Sequence, residues 1–417
     1  MKSLYSYFSF LIIYFFAVSS IFSPIRALPF FNYLWLFLIF LWFLITLLEM
    51  PGFFGNQTIY MYSICIFIFY TVFISFFTKN ISLGSRYLEF SQILIFYFEY
   101  KKNVIAKRAG QNRRVILFFI PFLLTSCYLT YNLFLINPEA LRWVGKSKAI
   151  GYQYMVMGAG GYNLAYFLAM LVPILILILK QDHYLEYRYK VGIIVLISIS
   201  LYIVFISKFF ISLIITLIGF SFLFLPKKVR SYTIILPFSI FAFSLLFFNN
   251  ILNTFFDFIL QFINEKNTGF SSKISELQIL LSGSSVIGAY SSARLNAYMY
   301  SINAFLEYPL LGAIFSKHGD PFSNVVIYGN HSHFIDTFAL FGLGIGLLQL
   351  YLYFGPIISK IKRKNNYYDT FFILIGIGLL IALTFNIATV SIGFLIFFIL
   401  PTVNDYLFSD ALDCKID

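Results

Sequence analysis

Residues 162–179 read YNLAYFLAMLVPILILIL, eighteen positions without a single charge. A helix rises about 1.5 Å per residue, so a run of this length covers most of the roughly 30 Å of hydrocarbon in a bilayer. Runs of the same kind recur through the chain: 4–22, 30–48, 58–77, 82–99, 115–136, 162–179, 191–206, 209–225, 232–249, 333–354, 369–386 and 389–407. They are apolar on every side, whereas the strands of a membrane barrel alternate apolar and polar residues. The expected fold class is therefore an all-α polytopic integral membrane protein with about twelve transmembrane helices. The run at 82–99 is the weakest. Arg86 and Glu89 can pair at i,i+3 on one face, and an interfacial helix is the alternative.

Composition agrees with that class. Of 417 residues, 60% are hydrophobic and 11% charged, with a mean hydropathy of +0.86, against about 25% charged in an ordinary soluble domain. The 55 Phe and 31 Tyr read as lipid-facing and packing residues. The formal charge of +12 would suggest nucleic acid only if topology were ignored. The basic residues gather at 101–114, 180–190, 227–230 and 360–364, in short loops, as the positive-inside rule requires of cytoplasmic segments. Neighbouring clusters are separated by even numbers of runs, which puts both termini inside and makes no nucleic-acid partner necessary. The first run follows Met1-Lys2 without a convincing small-x-small cleavage site and reads as a retained helix. Cys65 and Cys127 lie in apolar runs and Cys414 in the tail, so the polar loops have neither a disulfide framework nor a thiolate metal site.

Two longer loops then face outward. One, around 137–161, carries Arg142, Lys146 and Lys148, then Gly158, Gly160 and Gly161. The other divides one membrane domain into N-terminal helices (1–249), a large extracytoplasmic loop (250–332), and C-terminal helices with a cytoplasmic tail (333–417). Within it, 272–282 reads as a short amphipathic helix between a Ser cap and Gly283. Residues 292–307 read as a second, ended by Pro309.

Chemistry can be placed between Arg294 and Gly346, where a polar segment runs straight into an apolar one. Arg294 opens the second loop helix, and its guanidinium offers a planar fork of donors suited to two phosphate oxygens. His331 and His333 flank Ser332. No nearby Cys or paired acids complete a metal site, so a neutral imidazole taking a proton from a hydroxyl is the better reading. On a helix the two histidines would point about 200° apart, so only one would face a given cavity. Asp336 sits inside the start of a span, where an ionised carboxylate needs a partner. Lys208 occupies a tight outer turn, Ile206-Ser207-Lys208-Phe209, and either snorkels to headgroups or binds a second phosphate. Acidic residues inside the spans look few and scattered. No interrupted helix pair of the transporter kind is evident.

This arrangement resembles the O-antigen polymerase and ligase family of envelope glycopolymer enzymes. The likeness rests on Arg294 at a helix start, Pro309-Leu310-Leu311-Gly312, His331-Ser332 at the head of the next span, and Phe341-Gly342-Leu343-Gly344. It covers about 55 residues in detail. The family's basic residue in the short outer turn, often Arg, would be Lys208.

The resemblance implies a membrane glycosyltransferase of the bacterial plasma membrane, with its site on the outer face. Its donor would be an undecaprenyl-diphosphate-linked glycan. Arg294 and Lys208 would bind the diphosphate, His331 would deprotonate or orient the acceptor hydroxyl, and Asp336 would assist, with no metal and no cofactor. The acceptor distinguishes a polymerase, which extends another lipid-linked repeat unit, from a ligase, which transfers to a lipid A core. His331-Ser332 with Asp336 looks more like the polymerases. A chain-length regulator and a flippase would be partners. The rival class is a lipid-linked oligosaccharide flippase or other transporter, whose functional charges would be spread among the spans.

Overall fold

The computed structural model describes residues 2–55, 59–77, 94–138, 140–146, 148–181, 186–207, 209–224, 289–313, 332–361, 366–385 and 390–408. Every regular element among them is helical. Five helices are long and apolar enough to cross a membrane: Leu4–Ile21, Ala109–Ile136, Gly161–Lys180, Tyr187–Ile206 and His333–Ile358. The chain is a helical membrane protein. Residues 82–93 of the expected run 82–99, the run 232–249 and the loop helix at 272–282 lie outside the described residues.

The chain divides into two compact units. The first comprises Met1–Ser207, Tyr351–Pro356 and Ala388–Asp417. Its described helices are α1 (Lys2–Ile21), α2 (Ser23–Arg26), α3 (Phe31–Glu49), α4 (Ile59–Phe77), α5 (described over 94–105) and α6 (Ala109–Ile136). Then follow α7 (Ala140–Lys146), α8 (Lys148–Val156), α9 (Gly161–Gln181) and α10 (Tyr187–Ile206). Residues 140–156, expected as an outer loop, thus fold into two short helices that pack on each other.

The decisive run of the sequence becomes α9, which is buried all round. Leu164, Phe167, Leu168, Ala169 and Val172 are sealed from solvent, and small Ala165 and Ala169 let neighbours approach closely. Helix α10 packs along it, and α1 packs on α3 and α6. The opposite faces are as apolar as the core: Phe37, Phe40 and Leu48 on α3, and Ile194, Val195 and Phe205 on α10, all stand exposed. Water would not tolerate so broad an apolar surface, and lipid does. The last helix of this unit, α15, runs Val390–Phe394, widens to a π turn over Leu395–Ile399 and resumes at Leu400–Phe408. The widening has a local cause in Pro401, which lacks an N–H and would crowd the carbonyl four residues back.

The second unit comprises Lys208–Leu350 and Ile357–Ile387. Its described helices are α11 (Phe210–Phe224), α12 (Ala289–Glu307), most of α13 (His333–Ile361) and α14 (Asn366–Phe385), with α11 packed on α14. The run expected as one span at 333–354 is broken. Gly342 stands at φ 75° and ψ −173°, a conformation essentially confined to glycine. Residues 333–341 and 343–361 are therefore two half-helices, and they fold back on each other. A straight helix would hold positions 333 and 349 about 24 Å apart along its axis, yet the side chains of His333 and Gln349 meet at 2.7 Å. Gly346 likewise faces the ring of Phe338 at a distance only a glycine allows. Among the described residues one helix is interrupted, at Gly342.

Candidate functional site

The break in α13 is built by two glycine motifs acting on each other. Pro309 stops α12, and Gly312 closes the turn after it with φ 76°. A Cβ on Gly312 would stand 2.1 Å from the Leu340 carbonyl oxygen, and one on Gly342 would stand 2.3 Å from that of Leu310. Breaking the helix leaves the Leu343 N–H without its helical acceptor, and it donates to the Pro309 carbonyl at 2.8 Å instead. Pro309–Gly312 and Phe341–Gly344, read separately in the sequence, are the two halves of one joint.

That joint sits at the end of a pair of parallel helices. Ser301 meets Asp336, Phe305 packs edge-on against Phe338, and Gly312 abuts Leu340, so α12 and the half-helix 333–341 advance together. Their N-terminal ends consequently lie at the same end of the pair. Arg294 is in the early turns of α12, seven residues before Ser301, or about 10 Å along the axis. The structure describes the backbone of Arg294 but not its side chain. His331 and Lys208 lie outside the described residues. In sequence His331 comes directly before Ser332.

Ser332 is the N-cap of the half-helix. Its hydroxyl accepts the Ile335 N–H at 3.1 Å, and its own N–H donates to Asp336 Oδ2 at 3.0 Å. This is a capping box whose acid has moved one position along. The second oxygen of Asp336 accepts the Ser301 hydroxyl at 2.8 Å. A carboxylate only 2% exposed is thus supported by two donors and by the positive end of a helix dipole. Asp336 ties the cap of one helix to the side of the other. The helix begins at His333, and the expected 200° separation of the two histidines involves His331, which lies outside the described residues. His333 is buried against Gln349, while the Thr337 hydroxyl donates to its carbonyl at 2.6 Å. Ser332 also reaches the Leu383 carbonyl of α14 at 3.4 Å.

A second polar centre, absent from the sequence reading, lies in the first unit. Lys102 of α5 is 1% exposed, and its ammonium stands 2.8 Å from Glu99, 3.3 Å from Glu49 at the end of α3, and 2.5 Å from the Ser9 hydroxyl of α1. Trp42 donates its indole N–H to Glu99 at 2.8 Å, and Asn103 donates to the other Glu99 oxygen at 3.1 Å. Asn103 also donates to Asn112 of α6 at 2.7 Å. Arg108, partly exposed, pairs with the second oxygen of Glu49. Two carboxylates and two cations balance inside a shell drawn from four helices. Glu49 and Glu99, at the ends of separate runs in the sequence, converge here on Lys102. The available signal was a pair of lone acids, Glu49 and Glu99, each beside an apolar run, where an ionised group demands a partner.

No family model, no curated protein and no solved structure matches this chain.

Proposed function

We propose that the chain is a membrane glycosyltransferase that joins undecaprenyl-diphosphate-linked oligosaccharide repeat units at the outer face of a bacterial plasma membrane. The observation that carries this reading is the parallel pairing of α12 with the half-helix 333–341. The helix bearing Arg294 and the half-helix preceded by His331 begin at the same end and are locked together at the other. In the proposed reaction Arg294, with Lys208, neutralises the departing diphosphate. His331 takes the proton of the attacking sugar hydroxyl as the new glycosidic bond forms and the anomeric carbon–oxygen bond to the diphosphate breaks. Asp336 serves as a positioning group, because one oxygen holds the cap that follows His331 in sequence and the other holds the side of the helix that carries Arg294.

The test is a purified protein given carrier-linked repeat units. Arg294→Ala should stop polymer formation, and Arg294→Lys should retain only part of it, since lysine keeps the charge and loses the planar fork. Full-length polymer from Arg294→Ala would overturn the phosphate role. In cells, loss of a polymerase leaves single repeat units on the final acceptor, whereas loss of a ligase leaves polymer on the lipid carrier.

One observation favours the transporter reading. The Glu49–Lys102–Glu99–Arg108 centre places charge among the helices, as that class would require. Proteoliposomes holding a fluorescent carrier-linked glycan separate the two. A flippase makes the inner-leaflet glycan accessible to an external quencher without lengthening it, and a polymerase lengthens it without moving it.

A further inference from the structure

A straight α13 would leave Gln349 about 24 Å from His333; the reversal at Gly342 brings their nitrogens to 2.7 Å. Both groups are buried, at 4% and 9% exposure, in a helix rich in Phe, Leu, Ile and Gly. A polar pair in such a setting is costly to keep and is retained where it fixes something. With the amide nitrogen turned to the ring, Nε2 accepts and the ring proton resides on Nδ1. Gln349 thereby holds His333 in one orientation. It does so beside the cap formed by Ser332 and Asp336, whose next residue toward the N-terminus is His331.

We infer that Gln349 is a positioning residue of the transfer site. Through His333 it clamps the head of the half-helix from the returning strand of the hairpin, as Asp336 and Ser301 clamp it from α12. The inference rests on the glycosyltransferase reading for its consequence in catalysis, but the pair itself does not. Three ties then converge on one turn of helix: the cap of Ser332, the Ser301–Asp336 bond, and the His333–Gln349 bond. The last two reach different segments, α12 and the returning half of the hairpin, so the head of the half-helix is held from two sides. Fixing the head of the half-helix is how a supporting hydrogen bond outside the reacting atoms affects turnover.

The experiment has one readout independent of activity and one dependent on it. The chain has four histidines, so the ring nitrogens of the full-length protein in lipid nanodiscs can be assigned by nitrogen-15 NMR with single His→Gln variants. His333 should show the Nδ1–H tautomer with an accepting Nε2. Gln349→Ala should release it to a mixture of tautomers. Gln349→Ala should also lower the turnover of carrier-linked repeat units roughly tenfold, the worth of one well-made hydrogen bond, with KM changed less than twofold. The exchanged pair, His333→Gln with Gln349→His, restores a donor–acceptor match and should recover most of the turnover.

A His333 ring whose nitrogen signals are unchanged by Gln349→Ala would overturn the pair, and an Nε2–H tautomer in the unsubstituted protein would overturn the direction assigned to it. The expected tautomer together with unchanged turnover in Gln349→Ala, or equal loss in the exchanged pair, would overturn the positioning role. If the unsubstituted protein shows the expected tautomer and makes no polymer, the glycosyltransferase reading falls, and the catalytic consequence falls with it while the pair stands.

Discussion

Removing the charge of Lys102 should be the most damaging single change in the first unit, and restoring neutrality should undo most of the damage. Lys102→Met keeps the length and the apolar stem but deletes the ammonium between Glu49 and Glu99. Glu49 retains Arg108. Glu99 loses its only described ion partner and keeps three neutral donors, from Ser9 at 3.1 Å, Trp42 at 2.8 Å and Asn103 at 3.1 Å. Breaking a buried pair by deleting one member typically costs 3–5 kcal/mol. The three remaining donors put the expectation at the low end, about 3 kcal/mol, or roughly a hundredfold in the folded-to-unfolded ratio. Lys102→Met with Glu99→Gln removes both charges, leaves an amide that still accepts from Trp42, and should come within about 1 kcal/mol of the parent, because neutral replacement of a buried pair is often tolerated. The double-mutant cycle, read by unfolding in mixed micelles titrated with denaturing detergent, gives the coupling between the two residues. A Lys102→Met protein as stable as the parent, or a double variant as unstable as the single, would refute the claim that the charges compensate each other.

Other expectations follow from the joint and from the topology. Gly342→Ala should destabilise the second unit by several kcal/mol, combining a backbone conformation worth roughly 1–3 kcal/mol of strain with a Cβ driven into the Leu310 carbonyl; normal thermal stability of that variant would show the break is not where it is described. Ser301→Ala should cost about 1–2 kcal/mol by leaving one Asp336 oxygen short of a donor, and wild-type stability would mean the α12 tie carries no weight. His331→Ala should lower transfer by roughly 10²–10⁴-fold against about tenfold for His333→Ala; equal losses together with sensitivity to a chelator would point instead to a bound metal. Single cysteines at 273 and 362, placed in a chain cleared of its own, should react and not react respectively with an impermeant thiol reagent on intact cells, and the reverse pattern would overturn the proposed orientation.

The sequence made the helices legible because lipid leaves a one-dimensional mark: an apolar run long enough to cross is visible without any knowledge of its neighbours. Helix α9 reads as buried or lipid-facing from its composition alone, and α12 announces its end through Pro309. What failed to show were features that need two distant segments at once. Nothing local says that Gly342 reverses the chain, since Phe-Gly-Leu-Gly is acceptable within a membrane helix. The reason for its φ of 75° is the Leu310 carbonyl, 32 positions earlier in the chain. Lys102 similarly read as one member of a loop cluster obeying the positive-inside rule, because its partners Glu49 and Ser9 lie 53 and 93 positions away. The distinction between a loop lysine and a buried one is the presence of acids at the same depth, and depth is a tertiary property. Asp336 was legible halfway. Its position in a span demanded a partner, and the capping spacing to Ser332 was there to be read. Ser301 was not, since a serine in mid-helix is ordinary until a carboxylate faces it. In a membrane protein, then, local sequence reveals which residues cannot stand alone, and the folded chain reveals what they stand with.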